Sequence, residues 1–96
     1  MRLAISLAKQ ADVELRVFLM ADAAACAKAG QVTPNGYYNI ERMLKSLATK
    51  NVALGACGSC MDARGLRPED LIQGAHKSSM EELTEWTVWA DKVIVF

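Results

Sequence analysis

A chain of 96 residues with eleven basic and eleven acidic side chains presents no field to draw in a polyanion and no basic stripe interleaved with aromatics, which excludes nucleic acid as a partner. At this length the expectation is one domain, 1–96, burying roughly 60–70% of the surface of the unfolded chain, with a modest core drawn from the 52% of residues that are apolar. The apolar runs fall short of the roughly 20 residues of a membrane helix, and the opening residues lack the apolar centre of a signal peptide. A cytoplasmic location is therefore expected, in which the three cysteines stay reduced and any disulfide is transient.

In "MRLAISLAKQ", Leu3, Leu7, Ala4 and Ala8 recur at helical spacing, and "VELRVFLM" (13–20) is an apolar, β-branched run of strand length. Asp22 is placed to cap a short helix over "AAACAKA", with Gly30 in the left-handed position beyond it. Cys26 lies in that helix and reads as packing, since free thiols are among the most buried side chains. "QVTPNG" is a loop by composition. From Tyr37 to Lys50 the residues Ile40, Met43, Leu44, Leu47 and Ala48 follow the helical period, with Glu41, Arg42 and Lys45 opposite. Tyr37, Tyr38 and Asn39 stand at its start, where their polar tips either face a cleft or cap the helix.

"VALGAC" (52–57) predicts a second buried strand and "PEDLIQG" a short helix with proline in its first turn. His76, in "GAHKSS", reads as solvent-facing or capping. "SMEELTEWTVWAD" predicts a longer helix capped by Ser79 or Ser78, and "KVIVF" a closing strand. Trp86 and Trp89, three apart on that helix, read first as a core stripe and otherwise as a pocket wall or subunit contact. The alternation describes a parallel α/β sheet. Such a domain normally opens with a strand, whereas this sequence begins inside the first helix, so an initial strand is expected to be absent and the sheet to lack an inner strand.

The stretch "GACGSCMDARGL" (55–66) ends the second strand with Cys57 and places Cys60 in the turn beyond. That is the carboxyl edge of the sheet, where open α/β folds hold their ligands and reacting groups. If "CMDAR" enters a helix, Cys60 lies at its amino end, where unpaired N–H groups and the helix dipole favour a thiolate; Arg64 adds positive charge and Asp62 works against it. A thiolate is the nucleophile of sulfur-transfer and disulfide steps alike, which makes Cys60 the candidate nucleophile. Cys57, on the strand, is expected to be buried. A glycine-rich turn of small residues also serves tight packing alone. One CxxC with a lone histidine lacks the four ligands of a zinc site, so no metal is expected.

The segments "RVFLMADAAACAKAG", "TPNGYYNIERML", "ACGSCMDARGL" and "SSMEELTEWTVWADKVIVF", in this order and over nearly the whole chain, resemble the DsrE/DsrF-like proteins of the sulfur-relay group. The resemblance implies a flavodoxin-like open parallel α/β sheet with helices on both faces and assembly into homotrimers or homohexamers. It implies small cytoplasmic proteins that take sulfur as a cysteine persulfide from a donor protein and pass it to an acceptor protein; no cofactor is expected. The sulfur-carrying thiol of such relatives matches Cys60, and Cys57 matches the CxxC variety of the family. The catalytic candidates are thus Cys60, Cys57 and Arg64, and the substrate-binding candidates Tyr37, Asn39, Gly58 and Ser59. Three functions fit these residues. One is a sulfur carrier or transferase on Cys60; another is a thiol-disulfide oxidoreductase closing Cys57 onto Cys60; the third is a non-enzymatic module binding a small anion or partner near Tyr37 and Asn39.

Overall fold

A computed structural model describes residues 1–96, in which three parallel strands form one open sheet. The elements in chain order are α1 (Arg2–Ala8), β1 (Arg16–Leu19), a 3₁₀ segment (Ala21–Ala27), α2 (Ile40–Thr49), β2 (Ala53–Cys57), α3 (Gly58–Ala63), a short 3₁₀ turn (Pro68–Asp70), β3 (Ala75–Ser78) and α4 (Met80–Trp89). β2 is central, with β1 and β3 on its two sides. The first element of the chain is the helix α1, as the sequence leads one to expect.

The α2 boundaries follow from local chemistry. Asn39 Oδ1 accepts the Arg42 N–H at 3.1 Å, the bond of an N-cap. At the other end Asn51 adopts φ 61°, Val52 N–H reaches Leu47 O at 3.2 Å and Asn51 N–H reaches Ala48 O at 3.1 Å, which together close a Schellman turn. Leu44 and Leu47 on its inner face are fully buried. They join Leu54 and Ala56 of β2, Met61 of α3 and Ala24 and Ala27 of the 3₁₀ segment in a single core, onto which Ala4 and Ile5 of α1 also pack.

The opposite face of the sheet is covered by α4 alone. The cross-sheet row Phe18–Gly55–His76 lies under Trp86, which meets Phe18 and His76 edge-on at centroid distances of 6.2 Å each. A Cβ on Gly55 would come to 3.2 Å from the Trp86 ring, so the absent side chain makes room for the indole. Ser79 caps α4, its Oγ accepting the Glu82 N–H at 3.3 Å. Helices therefore lie on both faces, as expected.

Several local expectations are corrected. The alanine-rich run folds as a 3₁₀ segment rather than an α-helix, and its N-cap position is Met20 without a side-chain bond; Asp22 points instead to Arg64. The alanines pack so closely, Ala24 and Ala27 at 0% exposure, that the segment is fixed by tertiary contact rather than helix propensity. Only Pro68–Asp70 of "PEDLIQG" is helical. "AHKS", which has no strand-like composition, becomes β3 because the β2 edge offers a complete parallel ladder. "KVIVF" forms no strand; its residues make no backbone pair and are exposed, since a strand needs an adjacent edge and none is bonded to this one. Trp86 and Trp89 do not form a core stripe, and α4 contributes no buried residue.

Candidate functional site

The site assembles at the carboxyl ends of β1 and β2. Gly58 begins α3 directly after β2, so Cys57 occupies the N-cap position and Cys60 is the third residue of the first helical turn. Gly58 permits this sharp entry: a Cβ there would stand 2.8 Å from the Ser78 carbonyl oxygen, a distance that a backbone neighbour cannot accommodate. The helix is short because "RGL" ends it. Gly65 takes φ 66°, its N–H reaching Asp62 O at 3.2 Å while Leu66 N–H reaches Met61 O at 2.9 Å, a second Schellman turn that folds Leu66 back into the core.

The two thiols differ in environment. Cys57 is 8% exposed, and its sulfur stands 3.4 Å from the Ser59 hydroxyl. Its pKa is lowered from 9.0 to about 7, first by the Cys60 thiol acting as donor, then by the Ser59 hydroxyl and the Cys60 and Ser59 N–H groups, which outweigh the upward push of burial. The sequence places the activating helix start at Cys60; because the helix begins two residues earlier, the N–H donors fall on Cys57 instead. Cys60 is half-exposed. Its sulfur accepts the Ala21 N–H at 3.1 Å, a bond on the exposed side of the molecule.

Ala21 adopts φ 53°, a left-handed conformation that is uncommon for a residue with a Cβ and is sustained only where the surroundings enforce it. Arg64 bridges this turn to α3. Its Nε and Nη2 donate to Asp22 Oδ1 at 3.1 and 2.6 Å, and its Nη1 donates to the Cys60 carbonyl oxygen at 3.0 Å. Arg64 therefore does not reach the Cys60 sulfur; it ties the 21–22 turn to α3 and so holds the Ala21 N–H against that sulfur. Asp62, the unfavourable charge in the sequence, is matched by Lys77 Nζ at 2.9 Å.

Not every candidate is brought together. Tyr37 and Asn39 line a separate open depression of about 500 Å³ with Arg42, Met43 and the 31–36 loop, which shares no lining residue with the cysteine turn. Asn39 is occupied as a cap, and both tyrosines are exposed. Cys26 packs at the edge of the core. Ala21 and Asp22 are the site residues the sequence does not reveal: an N–H donor carries no side-chain signature, and Asp22 lies 42 positions from its partner.

The profile of the DsrE/DsrF-like family matches residues 1–96. Protein YchN of Escherichia coli strain K12 is 42% identical over 97 aligned positions, spanning 100% of this chain and 82% of that protein. An uncharacterized protein of Methanopyrus kandleri is 35% identical over 83 positions, 86% of this chain and 68% of that one. The crystal structure of the E. coli ychN protein superposes with a TM-score of 0.91 at 43% identity, covering 99% of this chain and 81% of the other.

Proposed function

The chain belongs to the DsrE/DsrF-like family, and from that premise we propose that it takes part in sulfur relay by carrying sulfur as a persulfide on Cys60. The observation that supports this most is the division of labour within the pair: Cys60 is the thiol a partner can reach, and Cys57 is the buried one with depressed pKa beside it. As its thiolate, Cys60 attacks the outer sulfur of a donor persulfide. The donor's sulfur–sulfur bond breaks, the donor leaves as a thiolate, and Cys60 holds the transferred sulfur. Attack by an acceptor thiolate on that outer sulfur returns Cys60 to the thiolate.

The Ala21 N–H is positioned to bond the sulfur through these steps, and hydrogen bonds to an anionic acceptor are the stronger kind. Incubation with a small-molecule persulfide donor followed by intact-mass measurement tests the reading. At the earliest times the chain should gain one sulfur atom, Cys26→Ser should behave alike, and Cys60→Ser should gain none at any time. Loading that survives Cys60→Ser would overturn it.

A further inference from the structure

The Cys60 sulfur accepts the exposed Ala21 N–H, and the buried Cys57 stands three positions back at the N-cap of the same helix. A persulfide formed on Cys60 thus comes into being beside a second thiol that no incoming acceptor has to supply. Cys57 cannot be reached easily by a partner at 8% exposure, so its chemistry is directed inward, at its neighbour three positions along. The spacing is that of the dithiols in which one cysteine resolves the other.

Resting on the persulfide-carrier reading, we propose a further activity: Cys57 reduces the Cys60 persulfide internally and releases its outer sulfur as sulfide. The Cys57 thiolate attacks the inner sulfur, Cys60 Sγ. A new bond joins the two cysteines, the bond from Cys60 Sγ to the outer sulfur breaks, and the outer sulfur departs with the electron pair as hydrosulfide. One thiolate and one persulfide become one disulfide and one hydrosulfide. The outer sulfur is reduced by two electrons and the cysteine pair is oxidised by two. An external dithiol reductant then restores both thiols by exchange.

Three features of the structure favour this route. Ring closure between Cys57 and Cys60 occurs within a turn that Gly58 allows to pack tightly against the end of β3. The Ala21 N–H, held by the Asp22–Arg64 bonds, is beside the sulfur from which hydrosulfide must separate, and it faces solvent. Hydrosulfide is also a weakly basic leaving group, and such sulfurs leave faster. A thiol whose pKa is about 7 is roughly half thiolate at neutral pH, which supplies the attacking form without a separate base. Attack at the outer sulfur would merely move the persulfide to a cysteine that partners cannot reach.

The activity makes the protein a branch point, handing sulfur to an acceptor when one is docked and discharging it as sulfide when none is. The test uses the full chain, reduced and then loaded anaerobically with a small-molecule persulfide donor, freed of donor by gel filtration, and followed by sulfide assay and intact mass. The wild-type chain should release one sulfide per loaded sulfur and end two hydrogens lighter than the reduced protein. Cys57→Ser and Cys57→Ala should keep the added sulfur and release none; circular dichroism of each variant checks that it is folded. If folded Cys57 variants load and the wild-type chain retains its sulfur as long as they do, the internal reduction is wrong while the carrier reading stands. If no chain loads, both fall.

Discussion

At the scale of single residues, the site is governed by which sulfur receives the hydrogen-bond donors. Because the Cys60 thiol is the first cause of the lowered Cys57 pKa, Cys60→Ala should move the midpoint of the thiolate absorbance upward from about 7; an unchanged midpoint would mean that the N–H groups alone set it. The same depression has a stability consequence. A thiol at about 7 when folded and near 9.0 when unfolded contributes stability that is fully present above pH 9.0 and is lost as the pH falls through 7. Thermal melts of the wild type should show that slope, and those of Cys57→Ala should not. Gly58→Ala would press a Cβ to within 2.8 Å of the Ser78 carbonyl oxygen. Denaturant titration should register a loss of about 1–3 kcal/mol, the usual cost of forced overpacking. Asn39 and Ser79 were legible in the sequence because capping chemistry is local. The Arg64–Asp22 bond was not, since nothing near either residue encodes a partner 42 positions away.

At the scale of elements, α4 is the least secured and the most instructive. It buries no residue and is held by Trp86 over Phe18 and Gly55, by Arg16 over the Trp89 ring at 3.7 Å, and by Glu82. Glu82 Oε1 accepts the Ser78 hydroxyl at 2.5 Å and pairs with His76 Nε2. Burial raises the Glu82 pKa, but those two bonds and the His76 and Arg16 charges overcome it, leaving the pKa below its ordinary 4.5. A carboxylate with a depressed pKa stabilises above its unfolded value and loses that contribution as the pH falls through the folded one. Acid titration followed by tryptophan fluorescence should therefore report release of α4 below pH 4.5. Glu82→Gln should cost about 1 kcal/mol at neutral pH and flatten the acid limb. The helices with strong periodicity, α2 above all, were readable from spacing. β3 was not: "AHKS" owes its conformation to the β2 ladder. The misreading of "KVIVF" is the converse, a strand-like composition with no bonded edge beside it.

At the scale of the whole molecule, one core joins the 3₁₀ segment, α2, β2 and α3, so the reactive turn and the fold share their support. Leu54, wholly buried in the central strand, should cost about 2–5 kcal/mol when replaced by alanine, with Cys60 loading lost in parallel with folding. The surface carries apolar side chains at the end of the chain and along α4, Val88 at 82%, Val95 at 85% and Phe96 at 100% exposure. Apolar surface of this kind is characteristic of association, and sedimentation at micromolar concentration should show an assembly larger than the monomer. The parallel architecture and the edge on which the thiols sit were legible from the alternation of elements, whereas the arrangement of the pair within the turn depended on where α3 starts. The most direct test is to locate the sulfur itself. Persulfide loading, alkylation of the exposed thiols and persulfides, and peptide mapping of the Cys57→Ser chain should place the added sulfur on the peptide at Cys60. Its appearance on Cys26, or an even spread over the two remaining cysteines, would contradict the assignment of this turn as the sulfur-carrying site.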